Sequence, residues 1–405
     1  MIDVTNKKDC CGCTACYSIC PRSCIAMVPD KEGFLCPKID TSECLHCGKC
    51  AEVCPMKNKT DSGIKPLNGY VVRTLNADRR KRSSSGGLVS SILCSLSEKG
   101  YYICGASFDK QYGVHHFIGE PGSNTDIFTG SKYVQSDLGD SFKKIEKILM
   151  EGGNVCFVGT GCQVDGLLNY LGKHFDGLFT IGLVCHGVPS HNIWRKYIDY
   201  QEKRYNSKIT DVNFRDKTLG YQTPAIRLAF ENGKQYLATA RVDLMLKSYF
   251  KHYSLRYSCF QCPSKGIKRR SDITVFDCWN SKELIGLDDN YGYTAVLVNS
   301  KKGQSGIEAL KGEIIAKEVA VDDLIPAGGG GMVLNSAKYV DKRESFYEAV
   351  EELGLESISK TVLGIRTRDR IVERVKVVLA KAGIMKSISR FRRLMKRRYS
   401  GKRSA

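Results

Sequence analysis

The sequence predicts a multidomain α+β protein: a small cysteine-rich module, a larger α/β body and a basic helical tail. Three observations carry this. Eight cysteines fall in two regular runs within the first 54 residues. Beyond residue 69, short apolar runs alternate with helical patterns. From Lys360 to Ala405, sixteen Lys and Arg stand against Asp369 and Glu373, which is fourteen of the nineteen net positive charges of the chain.

The first run is Cys10, Cys13, Cys16 and Cys20 before Pro21; the second is Cys44, Cys47, Cys50 and Cys54 before Pro55. Each reads C-x2-C-x2-C-x3-C-P, the pattern of two-cluster ferredoxins, in which the fourth cysteine of each run serves the other cluster. Three thiolates of a tight loop cap three irons of a cube, while the fourth has turned away. Cys10, Cys13, Cys16 and Cys54 are therefore expected to hold one four-iron (4Fe-4S) cluster, and Cys44, Cys47, Cys50 and Cys20 the second. Zinc is disfavoured because its paired ligands need a longer gap. Disulfides need an oxidising compartment, whereas Met1 to Lys8 show no apolar targeting segment, so a cytoplasmic protein is expected.

The module is expected over residues 1–60, with Val28 to Ile39 as its linking hairpin and Lys57 to Asn68 as a linker. The body divides into an N-terminal part, 69–140, and a C-terminal part, 141–355. Strands are expected at Gly69 to Leu75, Gly100 to Phe108, Asn154 to Gly159, Leu178 to Cys185, Ala225 to Phe230, Asp272 to Phe276 and Tyr293 to Asn299. Helices are expected at Gly87 to Glu98 and Ser141 to Gly152. The 42% hydrophobic and 26% charged content suits a globular chain, and no run approaches the roughly 20 apolar residues of a membrane span.

The tail, 356–405, repeats apolar residues at three- and four-residue steps: Ile371, Val375, Val378, Leu379 and Ala382, then Ile384, Ile388, Phe391, Leu394 and Met395. Basic amphipathic helices of this kind lie on anionic lipid, here at the membrane inner face, or pack on a body with a charged outer side. Both readings stand on periodicity. Nucleic acid is not expected as a partner, because the tail offers only Phe391 and Tyr399 for stacking and matches no reader motif.

Eleven cysteines remain. Cys11, Cys24, Cys36, Cys94, Cys104 and Cys156 read as small buried thiols. Cys162, Cys185, Cys259 and Cys262 fall at segment ends, which suits a third cube, a zinc site or a redox pair at Cys259 and Cys262. His186 and His191 lie near these motifs and have a pKa range suited to proton transfer, although such histidines more often brace a loop. No G-x-G-x-x-G follows a strand, which disfavours direct nicotinamide binding.

Five segments in shared order now carry a resemblance: Ser83-Ser84-Ser85-Gly86-Gly87, Gly130-Ser131-Lys132-Tyr133, Gly159 to Gln163, Val184 to Pro189, and Cys259-x2-Cys262 followed by Ser271-Asp272-Ile273-Thr274. Over roughly residues 5–355 the chain resembles the beta subunit family of coenzyme F420-reducing hydrogenase and F420-dependent formate dehydrogenase. It is also similar to the related 7-hydroxymethyl chlorophyll a reductase. The resemblance implies an FAD in an α/β flavin-binding body, beside a third 4Fe-4S cluster held by Cys162, Cys185, Cys259 and Cys262. F420 or another small molecule would meet the flavin's open face. By position, Ser85, Gly86, Gly87, Lys132 and Tyr133 are the flavin-pocket candidates. Serine hydroxyls, glycine amides and a helix N-terminus suit phosphate, while an ordinary helix cap would use the same Ser-Gly residues.

Two departures matter. Phe276-Asp277-Cys278-Trp279-Asn280 stands where the family commonly reads Gly-Asp-Phe-Trp-Gly, so the substrate side is expected to be reshaped and F420 specificity altered. Gly161 replaces a usual proline and is expected to loosen the loop before Cys162.

The functional expectation is an iron-sulfur flavin-dependent oxidoreductase that passes electrons between clusters, FAD and a small molecule or deazaflavin. Ferredoxin or F420 would be the electron donor or acceptor, and relatives of this build suggest cell-surface polysaccharide biosynthesis. The alternatives are an electron-transfer subunit of a larger hydrogenase or dehydrogenase, and a structural iron-sulfur protein.

Overall fold

The computed structural model describes residues 1–58, 63–327 and 329–383. The second apolar series of the tail, from Ile384 to Met395, lies outside these residues.

The N-terminal module is a β-hairpin between two short cysteine-bearing helices. Strands β1 (Ile25–Pro29) and β2 (Leu35–Ile39) pair antiparallel, with Val28 opposite Cys36. The helices Ala15–Ile19 and Lys49–Glu52 follow left-handed Thr14 and Gly48, each of which turns the backbone inside a C-x2-C-x2-C run.

The body is built on one mixed sheet of eight strands in the order β13-β3-β12-β11-β7-β6-β4-β5. In chain order these are β3 (Asn68–Thr74), β4 (Tyr101–Phe108), β5 (Val114–Gly119), β6 (Asn154–Thr160), β7 (Leu178–Leu183), β11 (Ile273–Cys278), β12 (Tyr293–Val298) and β13 (Ile314–Val319). The central four, β11, β7, β6 and β4, run parallel, and antiparallel strands close both edges. Strands buried on both faces read as continuous apolar runs, as Tyr293–Val298 does here. The sheet takes strands from both sides of residue 140, so the two stretches of the body share it.

Helices cover both faces. Leu88–Glu98 buries Leu88, Ile92, Leu93 and Leu96 against Ile103, Val158, Ile181 and Val275. On the opposite face, Ser141–Met150 and Gly161–Leu171 bury Phe142, Ile145, Leu149, Val164 and Leu167 against Val155 and Phe157. Cys11, Cys13, Ala15 and Val53 of the N-terminal module join this second cluster, so the module and the body share one apolar core. Burial of that area is the main force holding them together.

Between β7 and β11 the chain makes the helix His191–Tyr205 and a separate antiparallel sheet ordered β10-β9-β8, comprising β8 (Ile209–Asn213), β9 (Ala225–Phe230) and β10 (Gln235–Thr239). Trp194, Tyr197, Ile226, Leu228, Phe346 and Val350 fill its core. The helix Thr367–Lys381 docks on β10, where Glu373 turns inward and accepts the Thr239 N–H at 2.7 Å. Its apolar stripe faces outward: Ile371, Val375 and Val378 are 56%, 53% and 65% exposed. Among the described residues, no helix is long and apolar enough to cross a membrane.

Candidate functional site

Cys20, Cys44, Cys47 and Cys50 line one small hollow with Ile25 and Ile39. This is the crossed set expected from the spacing. Cys50 accepts the Ile2 N–H at 3.2 Å, and Cys44 the His46 N–H at 3.4 Å. Cys47 is exposed, so this set forms the outer rim of the module.

Cys10, Cys13, Cys16 and Cys54 lie deeper, and all four are buried. Cys16 is pushed up to about 12 by burial and by the neighbouring thiols Cys10, Cys54 and Cys50. Cys10 differs: its thiol is lowered to about 6, first by a hydrogen bond from Cys36 and then by the charge of Arg256, against the effect of burial. The Gly12 N–H also reaches Cys10 at 3.4 Å.

The third set forms at the carboxyl ends of two central strands, where α/β sheets place their ligand crevices. Cys162 follows β6 on the first turn of the helix Gly161–Leu171, which is fixed by Gln163 Oε1 accepting the Thr160 N–H at 2.9 Å. Cys185 follows β7 and accepts the Gly187 N–H at 3.3 Å. Cys259 and Cys262 come from the turn Tyr257–Gln261, held by Cys262 N–H on Ser336 Oγ at 3.0 Å. Burial and the other thiols raise Cys185 to about 12 and Cys262 to about 11. Thiols that resist ionising beside one another are relieved by a bound cation, so metal loading would release protons.

The residues therefore fit iron-sulfur clusters in two respects. Each set supplies four soft sulfur donors, and backbone N–H groups point at sulfur in all three. Among the described residues, no three His, Cys, Asp or Glu converge tightly enough to grip a single metal ion.

All four cysteines of the third set line one cavity of about 330 Å³, together with Ser85, Gly87, Lys132 and Tyr133. Gly86 does not line it. Its N–H donates to Thr294 Oγ1 at 3.0 Å, and a Cβ there would stand 2.2 Å from Val72 O, so it serves the packing of this turn on β3 and β12. Gly87 has φ +87° and opens the helix Leu88–Glu98, whose first residues, Leu88, Val89 and Ser90, line the cavity. Lys132 Nζ donates to the carbonyls of Ile127 and Thr129, both at 3.2 Å, and burial lowers its pKa to about 7. An anion placed beside it would restore its charge. Tyr133 stacks on Tyr249 at 4.6 Å and bonds Arg215 Nη1 at 3.2 Å.

Sequence reasoning did not single out Arg215. It lines the cavity, pairs with Asp277 at 2.8 Å and lies 5.0 Å from the centre of the Trp279 ring, while its Nη2 is buried without a partner. Asp277 and Trp279 belong to the segment that departs from the family pattern, so that segment does form a wall of this cavity. Cys278 points away and is buried against the other side of the sheet. Gly161 is not loose: Ser264 closes to within 2.6 Å of where its Cβ would stand.

His186 lines the cavity with its Nε2 buried and unpartnered, and burial followed by repulsion from His252 and Lys265 lowers it to about 4. At neutral pH it is therefore an uncharged imidazole. His191 does not line the cavity. Cys11, Cys24 and Cys36 also prove to be more than isolated small thiols: Cys11 sits with Cys13 in the shared apolar cluster against which Cys162 packs, Cys24 lies 3.4 Å from Cys20, and Cys36 Sγ accepts from Arg256 Nη2 at 3.2 Å.

Residues 152–323 match the family described as the C terminus of the coenzyme F420 hydrogenase/dehydrogenase beta subunit, and residues 9–58 match the 4Fe-4S dicluster domain. Among solved structures, a chain of the F420-reducing NiFe hydrogenase complex from Methanosarcina barkeri aligns at 16% identity, over 72% of this chain and 94% of that one, with a TM-score of 0.45. No curated protein matches the chain.

Proposed function

We propose that this chain, whose residues 152–323 match the C terminus of the coenzyme F420 hydrogenase/dehydrogenase beta subunit and whose residues 9–58 match the 4Fe-4S dicluster domain, is an iron-sulfur flavoprotein oxidoreductase of that family whose third cysteine set feeds a flavin. One observation carries this reading: the third thiol set and the flavin candidates Ser85, Gly87, Lys132 and Tyr133 share one cavity. FAD, when bound, supplies exchange of single electrons with a cluster and of electron pairs with an organic substrate.

The chain's own residues then have distinct tasks. Exposed Cys47 and its set meet a donor or acceptor such as ferredoxin, and the buried inner set relays to Cys162 through the contact of Cys11 with both Cys13 and Cys162. Lys132 and the amides opening the helix Leu88–Glu98 neutralise phosphate. The Tyr133–Tyr249 pair gives a flat apolar wall, and Arg215 Nη2 offers a free donor to the substrate. A small molecule or a deazaflavin would enter on the Asp277–Trp279 side. A complete relay on one chain favours a stand-alone reductase over an obligatory subunit of a larger complex.

The test replaces Cys259 and Cys262 with serine and follows flavin bleaching after reduction by ferredoxin under anaerobic conditions. The dicluster signals should persist while bleaching slows at least about tenfold, the equivalent of about 1.4 kcal/mol on the barrier. Unchanged bleaching would refute the role of the third set.

The outward stripe of Ile371, Val375 and Val378, flanked by Arg368, Arg374 and Lys381, supports contact with an anionic membrane. That contact would suit work on a lipid-linked sugar in surface polysaccharide synthesis. Vesicles containing phosphatidylserine should retain the full chain and release Ile371→Asp; equal retention of both contradicts this placement.

A further inference from the structure

Arg256 is 2% exposed and takes part in no ion pair among the described residues. Its Nε donates to Cys10 O at 2.7 Å, Nη1 to Gln135 Oε1 at 2.8 Å, and Nη2 to Leu35 O at 3.0 Å and Cys36 Sγ at 3.2 Å. Every one of these acceptors is neutral, the Cys36 thiol included, whose pKa is raised beside Cys10. A guanidinium buried this deeply is costly without a counter-charge. A negatively charged cluster on Cys10 would supply one, since the guanidinium lies against the Cys10 carbonyl, the Gly12 backbone and the Cys36 sulfur, three residues along the chain from Cys259.

Its place in the chain explains this reach. Arg256 lies three residues before Cys259, and its N–H is held by Val188 O at 2.9 Å, three residues after Cys185. From that anchored backbone the side chain crosses into the Cys10–Gly12 loop. Gln135 completes the clamp by donating Nε2 to Cys11 O at 3.0 Å. The fit is close at Gly12, where φ is +69° and a Cβ would stand 2.3 Å from Gln135 Nε2 and 2.9 Å from Arg256 Nη1.

We propose that Arg256 is the counter-charge of the inner cluster held by Cys10, Cys13, Cys16 and Cys54, that it raises the reduction potential of that cluster, and that it locks the cluster's loop onto the third cysteine set. The proposal rests on the relay described above. Reduction adds one electron, donated by dithionite or reduced ferredoxin, to a group already made negative by its thiolates, and it breaks no bond. Burial opposes that added charge, and a fixed cation beside Cys10 offsets the penalty. Among the described residues the outer set has no buried cation: Arg22 and Lys49, which border its hollow, are both exposed, and Arg22 is spent on Glu43 at 2.7 Å. Arg256 therefore acts selectively on the inner cluster and leaves the outer one to solvent.

The experiment is an EPR-monitored redox titration of the anaerobically prepared full chain, with iron content measured on the same samples. In Arg256→Gln, at the potential where the inner cluster is half reduced in the native protein, the reduced-to-oxidised ratio should fall at least tenfold. For a one-electron couple that is a midpoint about 59 mV more negative. The outer cluster should keep its midpoint, and Arg256→Lys, which retains the charge, should shift the inner one by much less. An inner midpoint unchanged in Arg256→Gln with iron retained overturns the proposal, as does a lysine variant displaced as far as the glutamine one. Should Arg256→Gln fail to hold its clusters, Gln135→Glu sets a carboxylate against Nη1 and must lower the same midpoint; no shift there also overturns it. The relay fails separately, by iron near eight atoms per chain or by missing flavin, and either result leaves the inner midpoint measurable.

Discussion

Replacing Arg343 with methionine should loosen the N-terminal module from the body, and the structure sets the size of the effect. Arg343 is fully buried, and its two terminal nitrogens meet Glu32 in the β1–β2 turn at 3.1 and 2.5 Å. Its Nε also donates to Leu255 O at 2.7 Å, and its guanidinium lies 3.8 Å from the Tyr257 ring centre. Removing one partner of a buried pair costs about 3–5 kcal/mol because the other charge is stranded. Glu32 keeps Lys7 at 3.2 Å and is 12% exposed, so the low end, about 3 kcal/mol, applies. Thermal unfolding followed by circular dichroism should report a loss of about 4 °C. The double variant Glu32→Gln with Arg343→Met should recover part of it, since neither charge is then stranded. Additive losses in that cycle, or an Arg343→Met variant within about 1 kcal/mol of native, would refute the reasoning.

The pair also fixes a pH dependence. Burial pushes the Glu32 carboxyl up, but the bonds and charge of Arg343, aided by Lys7, outweigh it and hold the group below its ordinary range. A carboxyl depressed in the folded state contributes stability above its unfolded pKa of about 4.3, and that contribution disappears as pH falls through the folded value. The native protein should therefore lose its advantage over Glu32→Gln below about pH 4.3. A constant difference from pH 7 to pH 3 would contradict this.

Two further outcomes follow from single residues. Lys132→Met should weaken FAD retention at least about tenfold by removing a charge-assisted bond worth about 1.5–3 kcal/mol, with unchanged far-ultraviolet dichroism; equal flavin affinity by equilibrium dialysis would remove Lys132 from the pocket. Gly86→Ala should cost about 1–3 kcal/mol because its Cβ meets the β3 and β12 backbone, and chemical denaturation showing native stability would contradict that packing.

The two cysteine runs were legible because cluster geometry imposes a fixed spacing on one short segment of chain. The central strands were legible too: Ala225–Phe230 begins and ends as expected, and β3, β4, β6, β11 and β12 differ at their ends by a few residues, because buried strands leave unbroken apolar runs. Strands β5, β8, β10 and β13 were not singled out. Each lies at a sheet edge and carries polar residues on an open side, as in Ile314–Val319 with its exposed Ala316, Lys317 and Glu318. Long-range partners were out of reach for another reason. Arg256 meets Cys10 across 246 positions and Arg343 meets Glu32 across 311, and neither arginine stands in a local pattern. Gly86 shows how a motif can mislead, since its closest neighbours are the strand backbone and Thr294, and it does not line the cavity. Cys11 likewise carried no spacing signal, because its contact with Cys162 depends on the module folding against the helix Gly161–Leu171.

The central claim is that three sets of four cysteines each hold a four-iron cluster and lead to one flavin. Iron and acid-labile sulfide, counted together with released flavin on anaerobically prepared full-length protein, test it most directly. The account predicts about twelve iron atoms and one FAD per chain. About eight iron atoms, or twelve without flavin, would contradict it.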